Sequence, residues 1–335
     1  MKSYGGLSNI LALLFFVLPG MAPAAPAGDS CAGAYAELYQ KNEIHISVYF
    51  GYSNYIDHVG DGEERDHLRD VLLTRCERGQ FNCGFKKWGG DIDLLGKTIR
   101  GPDGRMKRVY LRMMNSSMSS RHEDNISRHA EAQKQKSLET EAAFQRSLAG
   151  DDVVFYSGHA RYGTGISFTP MNYDQWNEAL RDSPALDRMV ETLKRTPTPP
   201  KLLGIVACKS EAYYAEVLHR AAPRMGLILT RETLQANDSM RTLDAALDSI
   251  LGLKCAPAFR KALNDSTHFF YYNPLSIKKR TYGDMVPEIY NFFEPVTKSF
   301  SFSPNLIKTE IVNTLEKDRQ VMPEGRDNGA VVGPE

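Results

Sequence analysis

A chain of 335 residues with 41 basic and 41 acidic side chains has no net charge, which argues against nucleic acid or an anionic membrane as its partner. Its length supports a substantial core and sits near the upper limit for one domain. No apolar stretch reaches the roughly 18 residues that a membrane-spanning helix needs.

Lys2 is the only charge before an apolar run over residues 10–18; Pro19 and Gly20 break that run and small residues follow, Ala25 and Ala27 forming an A-x-A pair. This order predicts a secretory signal peptide over residues 1–27, cleaved after Ala27, and hence a periplasmic or extracellular protein. An oxidising compartment favours disulfides, and the odd count of five cysteines leaves at least one thiol free. Cys76 and Cys83 are close enough to close a small loop. Cys31 and Cys255 could form a second bridge, leaving Cys208 over. Four cysteines nevertheless allow three connectivities.

Residues 43–52 are rich in Ile, Val, Tyr and Phe and read as a first strand. Leu68, Val71 and Leu72 fall at helical spacing within a charged segment, predicting a helix over 61–78. Strands over 92–100 and 106–114 flank the turn Gly101-Pro102-Asp103-Gly104, a strong hairpin signal. The basic residues Arg100, Arg105, Lys107, Arg108 and Arg112 around it read as one solvated strand face. A polar helix follows over 122–148, stopped by Gly150.

Residues 153–156 are apolar without alternation, as in a strand buried between helix layers. A glycine-rich loop spans 158–165, and helices are predicted over 173–180 and 186–193 before the breakers Pro197, Pro199 and Pro200. A second buried strand, 202–207, runs straight into Cys208 and a helix over 211–221. A third, 226–230, precedes a helix over 240–251. Strands alternating with helices predict a three-layer α/β/α sandwich with a mostly parallel central sheet. In such sheets function gathers at the carboxyl ends of the strands. His159 and Cys208 each fall just past the end of a buried strand.

These two residues lie in VVFYSGHARYGTG (153–165) and KLLGIVACKSEAYY (201–214). The pattern resembles the caspase-like cysteine peptidases, the superfamily of caspases, metacaspases, gingipains and legumain. The histidine precedes the cysteine by 49 residues, against about 50 in caspases. The resemblance implies a caspase-like catalytic domain over 28–264; beyond it the pattern weakens to an aromatic-rich extension over 265–316 packed on that domain, and 317–335 reads as a disordered tail. It implies Cys208 as nucleophile, His159 as general acid/base, and the backbone N–H groups of Ala160 and Cys208 as oxyanion hole, acting on a polypeptide without a cofactor or metal. The chain departs from the family in having Ala160 after the histidine, where glycine is usual. It also has Val206-Ala207-Cys208-Lys209-Ser210 where caspases have Gln-Ala-Cys-x-Gly.

In the family the residue two before the nucleophile helps to line the substrate pocket. Val206 there supplies neither a hydrogen bond nor a charge, so aspartate at P1 is disfavoured and any basic preference needs an acid elsewhere, such as Asp57. Arg161 is a further substrate contact candidate. A cysteine at a helix start should also feel the positive helix end, which favours the thiolate. The leading expectation is therefore an exported cysteine endopeptidase or related amide hydrolase. The alternative is a catalytically inactive caspase-like protein acting as a binding or scaffold module. An H-E-x-x-H zinc motif begins at His122-Glu123 but fails at Ile126.

Overall fold

Val153–Ser157, Leu202–Val206 and Gly226–Thr230 are buried at every position, the mark of strands covered on both sides. They are β5, β6 and β7 of an eight-stranded sheet in the computed structural model, which describes residues 30–54, 60–163, 165–170, 184–231, 234, 236–267 and 287–294. The other strands described are β1 (Glu43–Phe50), β2 (Lys86–Trp88), β3 (Asp91–Arg100), β4 (Met106–Asn115) and β8 (Pro287–Tyr290). The helices described are α1 (Ser30–Leu38), α2 (Asp61–Leu73), α3 (His122–Ile126), α4 (Ala130–Gly150), α5 (Pro184–Arg195), α6 (Ser210–Ala221), α7 (Ala236–Leu251) and α8 (Ala256–Ser266). A 3₁₀ turn covers Arg161–Gly163.

Across the sheet the order is β2-β3-β4-β1-β5-β6-β7-β8. Strands β4, β1, β5, β6 and β7 run parallel, and antiparallel pairs close both edges. Helices cover both faces, so the molecule is the three-layer α/β/α sandwich that the alternation of elements predicts. Ile44, Ile46, Val48 and Phe50 of β1 enter one core with α1, α2, α7 and α8. Tyr49 enters the other core with α4, α5 and α6. A slip of one residue would exchange the two layers, so the cores fix the register.

Several elements differ from expectation. The helix over 122–148 is two helices, because Ser127 leaves helical geometry with φ −118° and ψ −96°. Helix α2 stops at Leu73, where Thr74 turns extended ahead of the loop closed by Cys76 and Cys83. Lys107 does not belong to a solvated basic face. The pleat turns it to the core side with Val109 and Leu111, and it is 2% exposed, its Nζ reaching Asp103 at 3.1 Å. Helices α1 and α8 and strands β2 and β8 are additions to the predicted set.

Cys31 pairs with Cys255 and Cys76 with Cys83, with S–S distances of 2.03 and 2.09 Å, and Cys208 is free. Two disulfides are compatible with an exported protein. The predicted signal peptide, the helix over 173–180, Asp57 and the tail over 317–335 lie outside the described residues. Of the extension over 265–316, β8 adds to the sheet beside β7, and Arg231 bridges Glu211 of α6 to Glu288 of β8. Among the described residues no helix is long and apolar enough to cross a membrane.

Candidate functional site

Strands β5 and β6 end level, since Ser157 is the register partner of Val206. His159 and Cys208 each stand two residues beyond that pair, on strands that lie about 4.8 Å apart. The Gly158 N–H still donates to the Val206 carbonyl at 3.2 Å, so the ladder continues up to the histidine. The chain leaves β1 towards β4 but leaves β5 towards β6. The crossovers therefore part between β1 and β5, and a crevice at such a switch point is where open α/β sheets bind ligands.

Two buried tyrosines hold the His159 loop. The Tyr156 hydroxyl donates to the His159 carbonyl at 3.1 Å and accepts from the Ser167 N–H at 3.0 Å. The Tyr214 hydroxyl, on α6, donates to the Ala160 carbonyl at 2.7 Å. Space for the first contact comes from Gly51 and Gly158. A Cβ on Gly51 would stand 2.3 Å from the Tyr156 hydroxyl, and Gly158 has φ +156° with a Cβ position 2.8 Å from the same oxygen. All described peptide bonds are trans, so carbonyl and following N–H point in opposite directions. With the His159 carbonyl aimed at Tyr156, the Ala160 N–H is directed away from that buried hydroxyl. Ala160 itself avoids the left-handed region, which falls on Arg161 with φ 45°. This is why alanine can stand where the family has glycine.

The turn bearing Cys208 is pinned in the same manner. The Ala207 carbonyl accepts from the Thr230 hydroxyl and from the Ser210 N–H, so the Cys208 N–H points away from β7. The Ser210 hydroxyl donates to the Ile205 carbonyl at 2.6 Å and accepts from the Thr230 N–H at 2.9 Å. Lys209 adopts φ 51° and ψ 30°, a left-handed conformation that costs a non-glycine residue about 1 kcal/mol or more. That strained turn lets the chain go from β6 into α6 within three residues.

The Cys208 thiol is half-buried and donates to the Leu234 carbonyl at 3.6 Å. Burial pushes its pKa up, against smaller opposing pulls from the backbone of Leu234 and Cys208 and from Lys209. Burial, the largest of these influences, therefore works against the thiolate expected at a helix start.

Comparisons with protein-family models, with curated proteins and with solved structures give no match.

Of the other predicted residues, Val206 is fully buried in the core with β1 and α7. Arg161 is half-buried and its guanidinium donates to the Thr169 carbonyl at 2.8 Å, tying the 3₁₀ turn to the segment that Tyr156 also holds. Among the described residues no group of three or more His, Cys, Asp or Glu side chains is placed to hold a metal ion.

Sequence reasoning missed Glu64. This residue of α2 is 5% exposed and accepts from the Ser157 hydroxyl at 3.2 Å, two residues before His159. Burial, with a smaller contribution from the Asp61 charge, pushes its carboxyl up to about 8 against the opposing hydrogen bond from Ser157. Asp61, one turn earlier, accepts from the backbone N–H and hydroxyl groups of both Ser116 and Ser117. The start of α2 thus ties the carboxyl ends of β4 and β5 together from below. No motif announces this arrangement. The only signal is acidic residues at the start of a helix, which is also the pattern of ordinary capping.

Proposed function

We propose that the chain is an exported caspase-like cysteine peptidase, or a related amide hydrolase, working through Cys208 and His159. The observation that carries this reading is the level ending of β5 and β6, which gives the two residues equivalent positions beyond adjacent parallel strands. The Cys208 sulfur attacks the substrate carbonyl carbon while His159 takes the thiol proton and returns it to the leaving amine. A thioester forms, and water releases the acid and restores the thiol. The N–H groups of Ala160 and Cys208 receive the developing oxyanion, each worth about 3 kcal/mol in the transition state.

A binding or scaffold protein of the same fold is the second reading, favoured by the upward push on the thiol. Cleavage of a peptide library by the mature chain, with labelling by an acyloxymethyl-ketone probe, separates the two. Cleavage and labelling, both lost in Cys208→Ala, are expected of the peptidase. Library cleavage that survives Cys208→Ala, or a wild type that neither cleaves nor labels, would overturn it.

A further inference from the structure

We propose that an open cleft between α4 and the outer strands of the sheet binds a neutral oligosaccharide. The cleft has a volume of about 870 Å³, within the range of ligand pockets. It begins at Glu43 and His45, at the amino end of β1, whereas Cys208 lies beyond the carboxyl end of β6. It is therefore a different place from the site above, and the proposal stands without the peptidase reading.

Three rings cross its wall, from β2 over β3 to β4 and β1. Trp88 meets Tyr110 edge to face at 5.1 Å, and Tyr110 stacks on His45 at 5.4 Å with 30° between the planes. The indole rests against the backbone of β3, where a Cβ on Gly96 would come within 2.8 Å of the ring. It nevertheless remains 47% exposed. An exposed aromatic wall of this kind costs free energy in water unless a ligand covers it. The floor, by contrast, is a chain of hydroxyls. Tyr49 and Ser147 are 2.7 Å apart, Ser147 reaches Ser47 at 3.3 Å, and Ser47 donates to Asp151 at 2.6 Å.

The charges around this floor select the ligand class. Arg112 and Arg146 line the cleft together with Glu43, Glu139 and Asp151, and of these Arg112 is also paired with Asp91 at 3.2 Å and Glu43 with Arg108 at 2.6 Å. An anion would meet the carboxylates and a cation would meet the guanidiniums. The neighbouring hydroxyls of a sugar use both, donating to carboxylates and accepting from guanidiniums, while the C–H face of the ring packs on the aromatic wall. The aromatic rings supply the apolar area and the charged rim the hydrogen-bond partners.

The test is titration calorimetry of the mature chain with cellotriose, maltotriose and triacetylchitotriose. A sulfated trisaccharide and a tri-arginine peptide serve as charged controls. At least one neutral trisaccharide is expected to bind, and Trp88→Ala to weaken it about tenfold or more. Trp88→Phe should keep most of the affinity. In a Trp176→Phe background the sugar should change the emission of Trp88, the remaining tryptophan of the two in the sequence. Circular dichroism checks that each variant is folded, and Tyr110→Ala provides a second disruption. Three results would overturn the proposal: no neutral trisaccharide binds, binding survives both aromatic-to-alanine changes, or a charged control binds as tightly as the sugars.

Discussion

Glu64→Gln changes one atom type beneath the candidate site and tests whether the acid is held protonated there. The folded protein raises this carboxyl from 4.5 to about 8, chiefly by burial. A raised folded-state value means that the native state binds the proton more tightly than the unfolded chain. The associated stability is complete below pH 4.5 and is lost as the pH climbs to about 8. At about 1.4 kcal/mol per pH unit, the loss is about 3 kcal/mol at pH 7 and about 5 kcal/mol once the acid ionises. Glutamine has the same shape, accepts from the Ser157 hydroxyl and carries no charge at any pH. Urea unfolding of both proteins at intervals from about pH 4.5 to about pH 9, with disulfides intact, measures the difference. The Gln variant is expected to gain on the wild type steadily with pH, by several kcal/mol at the alkaline end. Parallel stability curves would refute the reasoning, since they would mean that Glu64 titrates alike folded and unfolded.

Other outcomes follow from the same contacts. Replacing both Cys31 and Cys255 by serine opens a link between residues 224 positions apart and should cost about 5 kcal/mol in denaturant unfolding, more than opening the link between Cys76 and Cys83, 7 positions apart. Tyr214→Phe frees the Ala160 carbonyl, so in the proposed peptidase kcat is expected to fall about a hundredfold while iodoacetamide still alkylates Cys208 at a similar rate. A matching fall in alkylation would mean that the tyrosine supports the cysteine turn instead. Alkylation of Cys208 should be slow at neutral pH and rise with pH to a midpoint above that of a free thiol, the sign set by burial. A midpoint below that of a free thiol would contradict the burial argument.

How much of this was legible in the sequence depends on the range of the interactions. Residues 153–156 and 202–207 declare buried strands because every position is apolar, and the two candidate residues, His159 and Cys208, fall within three residues of their ends. The hairpin around Gly101 to Gly104 is equally local, with the Gly101 N–H bonded to the Arg105 carbonyl at 2.8 Å. Lys107 misleads because a long aliphatic stem can be buried with its amine reaching an aspartate at the turn. Glu64, Tyr156 and Tyr214 are illegible for a different reason. Glu64 and Tyr214 have partners 93 and 54 residues away, the partner of Tyr156 is close in sequence but met only through the fold of the loop, and in each case a bland role in packing or capping explains the residue type equally well. Strand β8 is short and stands far along the chain from β7, so no local pattern signals the pairing.

The thiol of Cys208 shows why position at a helix start does not by itself settle reactivity. The helix end supplies about 0.3–1 kcal/mol to a nearby anion at an exposed site, which is less than one pH unit of thiolate stabilisation. Removing water from a titratable group disfavours its charged form, and burial is the largest of the influences on Cys208, pushing its pKa up. The two effects oppose each other, and the net direction is upward, against the thiolate. A protonated thiol is a poor nucleophile, so in the proposed peptidase the proton must leave during the attack and not before it. That places the burden on His159 as base. It also makes the two residues a unit, and removal of either should abolish turnover almost as fully as removal of both. A His159→Ala variant that kept most of its turnover would show instead that the thiolate forms without the histidine.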